Sequence, residues 1–208
     1  MAPVEFWFEF ASTYSYVAAS RIEEAARLRG IAIAWKPFLL GPLFQRQGWS
    51  DSPFNLYPAR GRYMWRDVER QCARHRLPFR KPTRFPRNSV LAARAACAAG
   101  GQAWLPELVR AIYRANFAED REISDARVIG EILAALGQDA DRILAEAVAP
   151  GNKERLRAQT EEAWSRGIFG APSFIVAGEL FWGNDRMEEA FDWHAAHSRH
   201  EPAGEESR

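Results

Sequence analysis

The chain has 208 residues, and its 28 Lys and Arg against 27 Asp and Glu leave a formal charge of +1, so no global field exists to draw nucleic acid. That length suits one domain, or two closely joined ones, with a sizeable core, and no apolar run is long enough to span a bilayer. The opening residues Met-Ala-Pro-Val-Glu lack a basic region followed by an apolar one, which predicts no secretory leader and a cytoplasmic location.

Residues 4–10, Val-Glu-Phe-Trp-Phe-Glu-Phe, are an aromatic run of strand length without a breaker and predict a buried first strand. Tyr14, Val17, Ala18, Ile22, Ala25, Ala26 and Leu28 then recur at helical spacing up to Gly30, with Ser12 or Thr13 as the N-cap. Residues 31–36 alternate into a second strand that Pro37 stops. Residues 45–58, rich in Gly, Ser, Asp, Asn and Pro, read as a loop, and residues 62–74 as a helix with Met64, Trp65, Val68 and Cys72 inside. The proline-broken stretch 74–87 carries Arg74, His75, Arg76, Arg80, Lys81, Arg84 and Arg87. Most of these charges read as solvated surface, His75 among them, although one or two would suit a carboxylate ligand.

Between residues 89 and 166 the pattern predicts four or five helices. Leu105, Leu108, Val109, Ile112, Tyr113 and Phe117 form the clearest stripe, and Ser124-Asp125 caps a helix that Gly137 stops. Pro150-Gly151 reads as a break, with Asn152 capping a last polar helix before Gly167. Residues 173–176 and 179–182 flank Ala177-Gly178 as a hairpin would, and Asn184 or Asp185 caps a final helix through Trp193. Ala171-Pro172 enters that hairpin, either as an ordinary trans turn or as a cis bond that offers backbone groups to a ligand. Cys72 and Cys97 have no second Cys, His pair or carboxylate at metal-ligand spacing. They are expected to be small buried hydrophobes, a disulfide is allowed but not required, and no metal is predicted.

Gly170-Ala171-Pro172 before a strand, followed by Leu-Phe-Trp-Gly-Asn-Asp-Arg at 180–186, resembles the C-terminal signature of the 2-hydroxychromene-2-carboxylate isomerases. These belong to the DsbA-like, kappa-class glutathione transferase group of the thioredoxin superfamily. Phe8-Glu9-Phe10-Ala11-Ser12-Thr13-Tyr14-Ser15-Tyr16 is similar to the family's N-terminal motif, and Leu39-Leu40-Gly41-Pro42, Pro58-Ala59-Arg60-Gly61 and Phe85-Pro86-Arg87-Asn88 resemble further family segments. Both the element order and the resemblance, which spans about residues 4–195, imply an α/β, thioredoxin-like fold with a helical insertion between the second and third strands. Residues 1–40 and 152–196 would form the thioredoxin-like domain, 41–151 the inserted helical domain and 197–208 a disordered tail.

The resemblance implies a glutathione-dependent cis-trans isomerase that converts 2-hydroxychromene-2-carboxylate to trans-o-hydroxybenzylidenepyruvate, or acts on a close relative, in aromatic catabolism. Ser12-Thr13-Tyr14-Ser15 stands where thioredoxin-like proteins carry Cys-x-x-Cys, so dithiol chemistry is excluded there while the helix N-terminus still favours a thiolate. Read locally, Ser12 is only a cap worth about 1 kcal/mol; by resemblance it hydrogen-bonds the sulfur of glutathione, with Thr13 where proline is more usual. The same resemblance puts Ala171 and Pro172 against the cysteinyl part of glutathione and Trp182, Gly183, Asn184 and Asp185 at its γ-glutamyl end. Arg60 takes the place of a glutathione-contacting lysine. Asn55 is chosen over Ser50 and Asp51 as the loop residue near the substrate, and Arg87 and Asn88 are the candidates for the substrate carboxylate. Relatives of this kind imply a homodimer. The rival readings are a kappa-like transferase or peroxidase with another electrophile, and a non-catalytic thioredoxin-fold binding module.

Overall fold

The N-terminal aromatic run becomes strand β1 (Val4–Phe8) in the computed structural model, which describes residues 2–198. Phe6 and Phe8 point to one face and Trp7 to the other, and all three are fully buried. A strand covered on both sides needs no polar alternation, which is why three aromatics stand in a row. The strand stops two residues earlier than the pattern suggests, because the Glu9 carbonyl turns to accept the Ser12 amide at 3.0 Å.

Strand β2 (Ile33–Pro37) pairs in parallel with β1, and β3 (Ser173–Val176) pairs antiparallel on its other side. Strand β4 (Glu179–Trp182) completes the order β2-β1-β3-β4 through the expected hairpin. Ala177 and Gly178 lie at φ of 49° and 87°, the paired positive values of a turn that matches strand twist. Helix α1 (Thr13–Arg27) makes the crossover from β1 to β2. Its apolar stripe ends at Ala26; Leu28, expected inside, is 69% exposed.

Between β2 and β3 the chain is helical: α2 (Leu40–Arg46), α3 (Pro53–Leu56), α4 (Pro58–Arg74), α5 (Val90–Ala98), α6 (Leu105–Phe117), α7 (Ala126–Ala135), α8 (Ala140–Val148) and α9 (Pro150–Ser165). After β4 a single 3-10 turn, Asn184–Arg186, leads into α10 (Met187–Ser198). The tail expected from residue 197 lies outside the described residues, apart from the two that close α10. Among the described residues no helix is long and apolar enough to cross a membrane.

Three expectations fail for one reason. Residues 45–58 are not one loop, α4 starts at Pro58 rather than near residue 62, and α9 starts at Pro150 rather than after a break. Prolines read as breakers sit instead in a first helical turn, where the missing N–H has no intrahelical partner to lose. Asn152 therefore does not cap. It is buried in α9, and its Nδ2 donates to Arg94 O at 2.9 Å and Ala147 O at 3.2 Å, tying α9 to α5 and α8.

One sheet face packs Phe6, Phe8 and Phe174 against α1, α4, α6 and α10, and the other packs Trp7, Phe38 and Ile175 against Leu43 of α2 and Ala163 of α9. Short α3 presses on α4 so closely that a Cβ on Gly61 would lie 2.2 Å from the Phe54 carbonyl oxygen. Gly61→Ala is expected to cost about 1–3 kcal/mol through overpacking, seen as a lower urea midpoint with an unchanged slope.

Candidate active site

Where β1 gives way to α1, Ser12 takes extended backbone angles and its Oγ accepts the Ser15 amide at 3.2 Å, closing the first turn of the helix. The same hydroxyl donates to the carbonyl of Ala171 at 2.9 Å, across 159 residues of sequence. Ser12 is thus both the cap and a link to the loop before β3, in which Ala171-Pro172 is a cis peptide bond; Phe85-Pro86 is a second one. With one proton to give, Ser12 must release Ala171 before it can donate to a ligand. Thr13 is buried and donates to Met64 Sδ at 3.2 Å, which fixes α1 on α4.

A cleft of about 1500 Å³ opens over this helix start. It is lined by Ser12, Tyr14, Ala171 and Trp182 together with Phe44, Trp49, Phe54 and Arg60, and the Tyr14 and Phe54 rings lie 6.4 Å apart. Arg60 is exposed and stacks its guanidinium 4.7 Å from the Tyr57 ring centre. Trp182 is half exposed and meets Phe169 edge-on at 4.8 Å, forming one lip. Gly183 has φ 112° and donates to Pro172 O at 2.9 Å, and a Cβ there would come within 2.4 Å of Asp185 Oδ1. Only glycine fits that turn. Asp185 stands exposed beside it. Asn184 borders the cleft but is buried, and its Oδ1 accepts from Arg21 Nη1 at 3.2 Å.

Two of the residues assigned to substrate are otherwise engaged. Asn55 is not on the cleft wall; its Nδ2 donates to Asp51 Oδ2 at 2.9 Å and to Phe85 O at 3.2 Å, while Ser50, Asp51 and Ser52 line the cleft. Arg87 borders the cleft, but its side chain is only 3% exposed and is ion-paired to Asp120. It also donates to Asn116 O at 3.0 Å, Asn116 Oδ1 at 2.9 Å and Asp120 O at 3.2 Å. Such a guanidinium holds the protein together rather than meeting a carboxylate ligand. Asn88 is exposed on the cleft, with its Oδ1 accepting the Val90 amide at 3.0 Å at the start of α5.

The cleft also holds groups the sequence reading passed over. Glu9 is 4% exposed on its floor. Its carboxylate accepts the Ala11 amide at 2.8 Å and the Ser89 hydroxyl. Burial pushes the carboxyl up to about 7, against the pull of Ser89 and the Ala11 and Ser12 amides. The available signal was an acid set between two buried phenylalanines. Tyr14 donates to Asp67 Oδ2 at 3.1 Å, and burial together with Asp67 raises its phenol well above the usual value. Cys72 and Cys97 are buried and free, and burial pushes their thiols up to about 12 and about 11. They are not nucleophiles at neutral pH.

Residues 3–192 match the model of the DSBA-like thioredoxin domain. The chain belongs to the DSBA-like thioredoxin family. It is similar to a 2-hydroxychromene-2-carboxylate isomerase of Sphingobium xenophagum, 28% identical over 186 residues that cover 89% of this chain and 94% of that one. Glutathione s-transferase kappa 2 of Caenorhabditis elegans is 23% identical over 204 residues, covering 91% and 90%. A solved 2-hydroxychromene-2-carboxylate isomerase superposes with a TM-score of 0.83 at 24% identity, covering 95% of both chains. The fold is thus the DSBA-like thioredoxin one that the element order and the resemblance imply, with Ser12 at the head of α1 and the two cysteines in α4 and α5.

Proposed function

We propose that this protein is a glutathione-dependent cis-trans isomerase acting on 2-hydroxychromene-2-carboxylate or a close relative. The observation that carries the reading is a helix start with a hydroxyl, Ser12, and no thiol of its own, opening on a cleft that several aromatic side chains also line. Relatives named isomerase and glutathione transferase support it.

The residues present fit glutathione. At about 1500 Å³ the cleft exceeds the usual 300–1,000 Å³ of a single small-ligand site, which leaves room for a tripeptide beside an aromatic acid. Ser12 and the free amides of α1 would hold the sulfur, the Ala171-Pro172 backbone the cysteinyl unit, and the turn from Trp182 through Gly183 and Asn184 to Asp185 the γ-glutamyl end. Asp185 offers a carboxylate to an ammonium group. Arg60 would meet a carboxylate of glutathione, and Asn88 would face the substrate carboxylate. When bound, glutathione supplies a nucleophile that adds reversibly to a conjugated double bond and so frees it to turn. The protein's part is to favour the ionised sulfur through the α1 dipole and the Ser12 hydroxyl, and to keep the aromatic acid between the walls formed by Phe44, Trp49 and Phe54.

The ultraviolet spectrum of 2-hydroxychromene-2-carboxylate mixed with the protein tests this directly. Conversion to the trans product is expected only with glutathione present. Binding without conversion would point to a transferase with another electrophile, and no binding at all to a non-catalytic module. Ser12→Ala is expected to lower kcat/KM by roughly 10- to 100-fold, the worth of one hydrogen bond to a charged group. The variant should still melt higher with saturating glutathione, by about 2.7 kcal/mol at a hundred times Kd.

A further inference from the structure

Glu9 has no task in the isomerase reading, yet its place is unusual. It is an acid at 4% exposure on the floor of the cleft, three residues before Ser12 and at the positive end of α1. Every group known to face its carboxyl is neutral: the Ala11 and Ser12 amides from the α1 start, the Ser89 hydroxyl ahead of α5, and the Tyr113 phenol of α6, which donates to the Glu9 carbonyl at 2.9 Å. Tyr113 itself is held protonated by burial and by Glu9. Among the described residues no cation is paired with this carboxylate, so its charge rests on the same helix start that a thiolate would use.

An ionised sulfur over α1 and an ionised Glu9 beneath it would be like charges competing for one set of donors, and each would raise the other's proton affinity. The geometry points to Glu9 as the group that takes the proton released by the glutathione thiol at α1 and keeps it while the thiolate is present, an inference that rests on the isomerase reading. In this step the S–H bond breaks with its electron pair left on sulfur, and an O–H bond forms on Glu9. Charge moves from the floor to the sulfur without change in the total, and the proton returns when glutathione leaves. Burial supports the role, since a carboxyl near 7 exchanges protons with a thiol at little cost.

The test counts protons on glutathione binding, by titration calorimetry near pH 8 in buffers of different ionisation enthalpy, with thiolate followed by its ultraviolet absorbance. Glu9→Gln keeps an oxygen acceptor for Ala11 and Ser89 but cannot take a proton. It is expected to release close to one more proton per thiolate formed than the natural protein. Ser89→Ala, which removes a donor that favours the ionised acid, should release an intermediate number, because Glu9 is then partly protonated before glutathione arrives. This second variant carries the test if the first fails to fold. Equal proton counts at equal thiolate in all three proteins would overturn the role of Glu9 and leave the isomerase reading intact; binding with no thiolate would overturn both. No glutathione binding to the natural protein, by calorimetry in every buffer and by thermal shift alike, would overturn both.

Discussion

Arg87→Ala is expected to lower the stability of the protein by about 3–5 kcal/mol, because it strips a buried acid of its partner and leaves carbonyl oxygens without a donor. The Arg87 and Asp120 side chains are 3% and 8% exposed. The Thr83 amide and then Arg87 hold Asp120 below the usual carboxylate range. Arg80, 3.8 Å from Asp120, offers partial compensation, which favours the lower part of that range. The guanidinium also joins the end of α6, through Asn116, to the loop that carries Pro86 and Asn88. Losing it should therefore loosen one wall of the cleft as well. A urea midpoint that drops sharply, and drops as much in high salt as in low, fits a buried pair. Arg87→Lys should recover little, since an ammonium cannot reproduce the planar fork. A variant that melts like the natural protein but needs far more substrate would instead make Arg87 a ligand for the substrate carboxylate.

The second large effect is on the pH dependence of stability, and its sign is set by Glu9. The folded protein binds this proton up to about 7, whereas an ordinary glutamate releases it near 4.5. Within that window the folded state holds more protons than the unfolded one, so stability is greatest below 4.5 and is lost as pH rises toward 7. At about 1.4 kcal/mol per pH unit, the total is about 3 kcal/mol. His75 acts oppositely over part of the range: burial, then Arg21 and Arg74, lowers its affinity for protons, so its contribution grows with pH. The difference between the natural protein and Glu9→Gln isolates the acid. Urea midpoints at several pH values should diverge steadily between pH 4.5 and 7, with the variant gaining relative to the natural protein. Parallel curves would mean that Glu9 titrates like a solvated carboxyl.

The features legible in the residues alone are those that neighbours along the chain decide. The β1 run, the Ser12 cap, the Asp125 cap and the Ala177-Gly178 hairpin all rest on periodicity, side-chain-to-amide reach or turn chemistry within a few residues. The position of Ser12 at the start of α1 was legible for that reason, as was the lack of a thiol there. Tertiary structure decided which polar side chains remain available to a ligand. Glu9 meets Ser89 across 80 residues, Ser12 meets Ala171 across 159 and Asn184 meets Arg21 across 163. Arg87 stood in a basic loop as a candidate for the substrate carboxylate until the end of α6 and Asp120 closed around it. A charge in a sequence carries no mark of its burial. Burial is set by which helices pack over it, and that packing makes Glu9 a proton-holding acid and Arg87 a structural pin.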